Sequence, residues 1–509
     1  MSDELNTKAL FKTHYVVWRI LGMLPPKKYR TLYWMYSAVF NISITIGYPL
    51  HLIVGLFASN NAYEFFQNMA INLTCAFCTM KTIAIWWRFD KVDIMFEIIQ
   101  RQDDRVRTQE EMSFLRKMVH PPTKRIILTF TILCSIIAVS SESTVLFNGL
   151  MGNWTLMHKG YFPFDIFENT RNYIIAHLYQ IIGLSYMILQ NVVNDTFAPA
   201  HLCLLRGQVQ MLNIRIGKIG HDSKKGSAEN NQELLECIKV HKDLLEYHHQ
   251  LEEIISVYMF FQIMVGAFNM CIILVFIILF VKDIFTLLYY TFYFIGVIFE
   301  LLPGCYYGTL LEDEFHELTY ALFTCNWPEQ DVEFRKNLRI IAEHTTRRVY
   351  VTAWLFRVNN NAFILACKNA YALFALVMNI KILPAHLCLL RGQVQMLNIR
   401  IGKIGHDSKK GSAENNQELL ECIKVHKDLL EYHHQLEEII SVYMFFQIMV
   451  GAFNMCIILV FIILFVKDIF TLLYYTFYFI GVIFELLPGC YYGTLLEDEF
   501  HELTYALFT

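Results

Sequence analysis

Residues 254–281 read IISVYMFFQIMVGAFNMCIILVFIILFV, and these 28 residues contain no acidic or basic side chain. About 20 apolar residues in a helix are enough to cross the hydrocarbon core of a bilayer. This stretch therefore predicts a membrane-spanning helix. Six other stretches are long and apolar enough to do the same: residues 34–57, 66–87, 126–147, 173–193, 284–302 and 349–380.

The composition of the whole chain agrees with a membrane protein. Of 509 residues, 55% are hydrophobic and only 17% are charged, against roughly 25% charged in an ordinary soluble domain. A formal net charge of -4 gives no electrostatic reason to expect nucleic-acid binding. The chain shows no convergent set of nucleophile, base or metal ligands, so we expect neither an enzyme nor a cofactor.

One segment of the sequence occurs twice. Residues 199–324 return letter for letter as residues 384–509. Structural repeats keep their pattern while individual residues drift, so identity over 126 positions indicates a recent duplication or a gene-model artefact. We therefore divide the chain into a seven-helix unit, residues 1–383, and a copy, residues 384–509, that carries a cytoplasmic loop and two further hydrophobic helices.

The basic residues predict which way the helices run. The segments before span 1 and between spans 2 and 3, 4 and 5, and 6 and 7 carry 27 Lys and Arg, whereas the alternate segments carry only Lys159, Arg171 and Lys282. Basic residues collect on the cytoplasmic side, so the N-terminus is predicted to be cytoplasmic. The fold class is an all-α multi-pass membrane protein, inverted with respect to G-protein-coupled receptors. The copy then starts on the wrong side of the membrane and is expected to be non-functional.

Several polar features need separate interpretation. Leu205, Val209, Leu212, Ile216 and Ile219 lie on one helical face, and a turn-rich break separates them from a second amphipathic helix. This hairpin either folds against its own subunit or forms an assembly surface. Five histidines around it are expected to be solvated, namely His201, His221, His241, His248 and His249.

Two charged residues and one sequon lie in or near the spans. Lys81 and Glu300 are expected to extend toward water from the inner ends of their spans. Asn153-Trp154-Thr155 is a glycosylation sequon on the outer side.

Short sequences along residues 1–382 resemble those of insect odorant receptors. The similar sequences are GYFPFD at 160–165, the segment from Ile188-Leu189-Gln190-Asn191 to Asp195, Tyr306-Tyr307-Gly308, Leu318-Thr319-Tyr320-Ala321 and Asn326-Trp327. Their order and spacing, together with the inverted topology, make the resemblance specific. The related gustatory receptors carry a T-Y then Q-F signature in the last span, which is absent after Tyr371.

The resemblance implies an odorant receptor subunit that binds small volatile odorants. With a shared co-receptor it would form a heterotetrameric, non-selective cation channel in the dendritic plasma membrane of an olfactory neuron. It also implies that Leu376 is an apolar gate and Asn379 a polar ring at the end of the pore helix. Such a pair is physically suited to gating by dewetting and to coordinating a partly hydrated cation.

Odorants are small and mostly apolar, so their pocket should offer aromatic walls and one or two polar anchors. The outer halves of the spans supply such residues, and we predict the pocket from this set: Phe66, Met69, Ser140, Ser141, Thr144, Tyr173, His177, Gln180, Tyr289, Tyr290 and Tyr293. Alternatives to an odorant-gated channel are a metabotropic chemoreceptor of the G-protein-coupled type and, with less support, a gustatory receptor or a secondary transporter.

Overall fold

A computed structural model shows the chain as a set of long helices. It describes residues 5–58, 62–152, 154–406, 411–465 and 469–506; inside these helices some side chains are not described, among them those of Thr144, residues 376–385 and most of residues 438–471. The first half contains α1 (Lys12–Ile20), α2 (Arg30–Phe40), a π-helical turn (Asn41–Ile46), α3 (Gly47–Phe57), α4 (Ala62–Trp87), α5 (Phe89–Asp104), α6 (Gln109–Phe114), a second π-helical turn (Leu115–Val119) and α7 (His120–Leu150). The rest contains α8 (Thr170–Lys218), α9 (Ser227–Phe280), α10 (Ile284–Thr324), α11 (Val332–Thr345), β1 (Thr352–Ala353), β2 (Phe356–Arg357), α12 (Asn360–Ile401), α13 (Ser412–Phe465) and α14 (Ile469–Ala506).

Six of the seven predicted spans coincide with helices that could cross a membrane. Among the described residues, seven helical segments are long and apolar enough for this, six of them between residues 30 and 324 and one, Tyr478–Leu503, in the copy. The helices α8, α9 and α10 have 49, 54 and 41 residues. At 1.5 Å per residue they are roughly 60 to 80 Å long, about twice a bilayer core, so they extend well beyond it.

The seventh predicted span, residues 349–380, is wrong at its start. Residues 352–357 form a small antiparallel hairpin instead, in which Thr352 pairs with Arg357. The next helix begins only at Asn360, where the Asn359 side chain accepts a 3.1 Å hydrogen bond from the amide of Ala362. Apolar composition alone did not distinguish these β-branched and aromatic residues from a helix.

The apolar face predicted at the end of α8 is confirmed. Its five residues, Leu205 to Ile219, are at most 2% exposed. The helix ends at Lys218 and α9 starts at Ser227, so the turn-rich break lies where it was predicted. This extension of α8 packs against α9 and α10, and α9 also contacts α5 and α11. The hairpin is therefore covered by its own chain.

Two predictions about polar residues are wrong. His201, His241 and His248 are buried, at 0%, 4% and 7% exposed, whereas His221 and His249 are exposed as expected. Lys81 does not extend toward water: it is 1% exposed and binds the carboxylates of Asp195 and Glu300. In each case a partner far away in the sequence covers a polar side chain that looks solvated in its local context.

The chain divides into two compact units, residues 1–371 and 372–509. In the second unit α13 repeats the bounds of α9 at an offset of 185 residues, as the identical sequence requires. Leu390, Val394 and Leu397, the counterparts of Leu205, Val209 and Leu212, are again buried. The copied segment thus keeps the local packing of the original.

Candidate functional site

Aromatic side chains from three helices form a cluster inside the first unit. Tyr290 of α10 is 3% exposed, and its ring centroid lies 4.4 Å from that of Phe276 of α9. Phe280 continues the cluster to Phe66 of α4, at 6.1 Å between centroids. These helices therefore bring the predicted residues Phe66 and Tyr290 to one place, because each helix directs a large ring into the bundle.

Tyr293, one turn further along α10, ties the same three helices together through hydrogen bonds. Its hydroxyl lies 2.6 Å from Thr74 Oγ1 and donates a 3.0 Å bond to the carbonyl oxygen of Ala70. The amide nitrogen of Asn269 donates a 2.8 Å bond to Thr74. The other end of that amide, Asn269 Oδ1, is buried without a hydrogen-bond partner among the described residues. An unpaired buried acceptor is costly, so it offers an anchor to a ligand that can donate a hydrogen bond.

Tyr48 of α3 is a second unpaired polar group that the sequence analysis missed. It is 0% exposed, and its hydroxyl has no partner within the described part of the chain. A Cβ added at Gly183 of α8 would lie 2.3 Å from the Tyr48 ring, so the two helices approach closely only because position 183 is glycine. A lone hydroxyl in an apolar span is expensive in lipid, and that signal could have identified Tyr48.

Tyr289 and Ser141 extend the site toward α7. Both are buried, at 7% and 5% exposed, and the Ser141 side chain is within hydrogen-bonding reach of Tyr289. The Tyr289 ring lies 4.9 Å from Tyr290 and 6.1 Å from Tyr293. Met69 is half-buried against this core. The five predicted residues Phe66, Met69, Tyr289, Tyr290 and Tyr293 thus belong to one contiguous core, with Ser141 at its edge.

Tyr173 and His177 form a separate group near the N-terminal end of α8. Their rings stack at 5.8 Å, and His177 Nε2 lies 3.6 Å from a carboxylate oxygen of Glu142. The Tyr173 hydroxyl donates a 3.1 Å bond to the carbonyl of Thr155 in the loop between α7 and α8. Both side chains are only half-buried, so they lie at the margin of the bundle.

Gln180 is engaged by the same loop rather than directed at open space. Its amide accepts a 3.3 Å bond from the backbone N–H of His158 and donates a 2.6 Å bond to the carbonyl of His158. Its nitrogen also lies 3.3 Å from His51 Nε2. Gln180 therefore holds the loop in place, and a ligand would have to displace it to use its amide.

The GYFPFD segment packs against the ends of three helices. Lys159 pairs with Glu64, and its amide donates a 3.0 Å bond to Asn68 Oδ1. The amide of Tyr161 donates to the carbonyl of His51 at 3.1 Å. A Cβ at Gly160 would lie 2.0 Å from the His51 ring. The loop thus packs over the ends of α3 and α4.

Of the other predicted residues, Ser140 lies apart from this cluster. Ser140 lines a cleft of about 560 Å³ between α7 and α10, together with exposed apolar residues such as Ile132, Val139 and Leu288. Thr144, Leu376 and Asn379 lie in helices, but their side chains fall outside the described residues, as does all of Asn153.

Comparison with known proteins gives a consistent assignment. A family profile described as "7tm Odorant receptor" matches residues 61–371 and 372–509. Odorant receptor 33a of Drosophila melanogaster is 30% identical over 381 residues, which cover 74% of this chain and 99% of the relative. Odorant receptor 59a of the same species is also 30% identical, with the same coverage of both chains.

The fold has solved counterparts as well. The olfactory receptor OR5 of the insect Machilis hrabei superimposes with a TM-score of 0.63 over 74% of this chain and 98% of its own, at 14% sequence identity. The same receptor in complex with eugenol superimposes with a TM-score of 0.62 at 13% identity. The profile match over most of the chain and the near-complete alignment to curated relatives show that this chain belongs to the odorant receptor family, whose members are membrane receptors and not enzymes.

Proposed function

We propose that the chain binds small odorants in the aromatic cluster of α4, α9 and α10 and thereby gates a cation channel. The observation that carries this proposal is the combination of buried rings with two unpaired polar atoms, Asn269 Oδ1 and the Tyr48 hydroxyl. Apolar walls with a few convergent polar groups suit small volatile ligands. A hydroxyl-bearing odorant would satisfy Asn269 Oδ1 by donating a hydrogen bond.

The channel itself requires partners. This chain would form a heterotetramer with a shared co-receptor. The complex would lie in the dendritic plasma membrane, with the N-terminus of this chain in the cytoplasm. Leu376 and Asn379 would then line the pore as gate and polar ring. Family membership supports this assembly, and the charge asymmetry of the loops supports the orientation.

Co-expression provides the test. The full chain and residues 1–383 are each expressed with an odorant co-receptor, and whole-cell current is recorded during exposure to an odorant panel that includes eugenol. We expect odorant-evoked cation current from residues 1–383. A complex that reaches the cell surface but gives no current across the panel contradicts the proposal.

The orientation separates this function from the metabotropic alternative. An epitope tag placed at Ser2 should be detected only after cells are permeabilised. Detection on intact cells would place the N-terminus outside and favour a G-protein-coupled type of receptor.

The duplicated segment is proposed to be dispensable. The curated relatives align over almost their whole length to about three quarters of this chain, which is the share that residues 1–383 represent. Sequencing full-length transcripts across residues 383–385 tests whether the copy is expressed. If it is, truncation at residue 383 should leave odorant-evoked current unchanged.

A further inference from the structure

A second cavity lies between α7, α8 and α10, away from the aromatic cluster. We call it the inner cavity. It has a volume of about 290 Å³, roughly that of ten water molecules in the liquid. Its lining comes from three short segments, residues 122–130 of α7, 195–199 of α8 and 299–307 of α10.

The inner cavity contains a carboxylate with an incomplete counter-charge. The Asp195 side chain is 2% exposed, and Lys81 binds its Oδ1 atom. Lys81 also donates to Glu300 Oε1 at 2.6 Å, and the Glu300 side chain is 16% exposed. One ammonium therefore serves two carboxylates, which leaves one excess negative charge when both carboxylates are ionised. Uncompensated charge inside a membrane protein is expensive, so the cluster favours a further cation.

Two prolines add backbone acceptors at the same place. Pro199 and Pro303 both lie inside helices, and proline has no amide hydrogen. The carbonyl groups four residues earlier, those of Asp195 and Phe299, therefore lack their usual helical donor. Both residues line the inner cavity. In the broken helices of membrane transporters, carbonyl oxygens without a helical donor coordinate cations, and the two proline sites offer the same kind of acceptor.

The walls favour a cation with an apolar body. Phe130 is 6% exposed, while Phe299, Leu302 and Tyr306 are 36% to 46% exposed and leave the cavity accessible from one side. Aromatic faces also attract organic cations. Arg125, the basic residue in the lining, is exposed, so water screens its charge more than that of the buried cluster.

We propose that the inner cavity is a binding site for a small organic ammonium ion. The ammonium group is held by the Asp195 carboxylate and by the carbonyls of Asp195 and Phe299 that proline leaves without a helical donor, and the apolar body lies against Phe130 and Leu302. Phe299 is six residues beyond Tyr293 on α10, about 9 Å along the helix, so this site is distinct from the aromatic cluster. Ammonium binding in the inner cavity does not depend on the proposed odorant-gated channel activity.

Thermal unfolding of the full chain in detergent tests the proposal, with benzylammonium as the probe and benzyl alcohol as a neutral molecule of similar size. We expect benzylammonium to raise Tm saturably, whereas a rise caused by benzyl alcohol binding in the aromatic cluster should be the same in wild type and in Asp195→Asn. Asp195→Asn should weaken the benzylammonium response by about tenfold or more, since a charged hydrogen-bond partner is lost. The substitution leaves Lys81 and Glu300 as a balanced pair, so the variant should fold.

Two further variants make the result specific. Asp313→Asn removes an exposed carboxylate from α10, the helix that carries Phe299 and Glu300, and should leave the response unchanged. Thr129→Phe fills the inner cavity but keeps its charges, and should abolish the response. The proposal is overturned if wild type shows no rise at millimolar benzylammonium, if Asp195→Asn weakens the benzyl alcohol response as much as the benzylammonium response, or if either Asp195→Asn or Thr129→Phe responds to benzylammonium like wild type.

Discussion

Lys81 of α4 donates a 2.6 Å hydrogen bond to Glu300 of α10, although the two residues are 219 positions apart in the chain. Asp195 of α8 shares the same ammonium group. Three helices that cross the bundle are therefore joined at one buried charge cluster. Removing the one cation of this cluster strands both carboxylates, which costs more than the ion pairs themselves contribute.

Lys81→Met should destabilise the protein strongly, because it leaves two carboxylates close together without a cation. We expect a loss of about 3 to 5 kcal/mol, seen as a lower Tm in detergent. The matched control is Lys91→Met. Lys91 pairs with Glu253 and is more exposed than Lys81, so its loss should cost at most about 1 kcal/mol. Equal shifts for the two variants would show that the buried cluster has no special role.

Tyr293→Phe should lower stability by about 1 kcal/mol and weaken odorant responses, because the hydroxyl links Thr74 and Ala70. The duplication supplies its own control, since Tyr478 is the copied residue and is 48% exposed. Tyr478→Phe should change neither Tm nor the concentration of odorant that gives half-maximal current. If the variant at position 478 has the larger effect, the aromatic cluster is not the working site.

His158, in the loop between α7 and α8, should make the free energy of unfolding depend on pH. The residue is 3% exposed, and burial, helped by the nearby His51, lowers its pKa from 6.5 to about 4. The unfolded chain therefore takes up a proton between pH 6.5 and pH 4 while the folded chain does not. His158 therefore leaves the free energy of unfolding unchanged above pH 6.5 and lowers it by about 3 kcal/mol as the pH drops from 6.5 to 4.

The variant His158→Leu isolates this effect from other titrating groups. Neither ring nitrogen of His158 has a hydrogen-bond partner among the described residues, so leucine should be tolerated. The difference in Tm between pH 7 and pH 4.5 should be smaller in the variant than in wild type. An unchanged difference would assign the pH dependence to other residues.

Asn153→Gln should increase electrophoretic mobility by removing an N-linked glycan, if the loop between α7 and α8 faces the outside. Asn72 belongs to a second sequon and serves as the control. It is 4% exposed and donates a 2.9 Å bond to the carbonyl of Asn68 within α4. Asn72→Gln should leave the mobility unchanged, and a shift for Asn72 alone would contradict the proposed topology.

Leu376→Ala should raise the leak current of the receptor complex, because a smaller apolar ring no longer excludes water from the closed pore. Leu365 lies earlier on α12 and is 42% exposed. Leu365→Ala should leave the leak at the wild-type level. Indistinguishable leak currents would argue against Leu376 as the gate.

Local pattern was enough to predict the helices and the buried face of α8. The copy demonstrates this, because Leu390 and Val394 are buried like Leu205 and Val209. His201 shows where local pattern ends. Its counterpart His386 contacts the equivalent tyrosine at nearly the same distance, yet His386 is exposed whereas His201 is 0% exposed.

The difference between the two histidines comes from distant partners. Phe11 stacks on His201 with 4.2 Å between ring centroids, and Phe96 also contacts it. Neither ring could be paired with His201 from spacing alone. The same holds for Lys81 and Asp195, which are 114 residues apart. The sequence indicated the large rings on inward helix faces, whereas the lack of a hydrogen-bond partner at Tyr48 and Asn269 depends on their tertiary neighbours.

The contact between Gly160 and the His51 ring limits how outer loops can be exchanged between receptors. Any side chain at position 160 would collide with the imidazole. A chimaera that receives a loop with a larger residue there would need a smaller residue at position 51 as well. The loop and the end of α3 therefore form one module for receptor engineering, and they should be transplanted together.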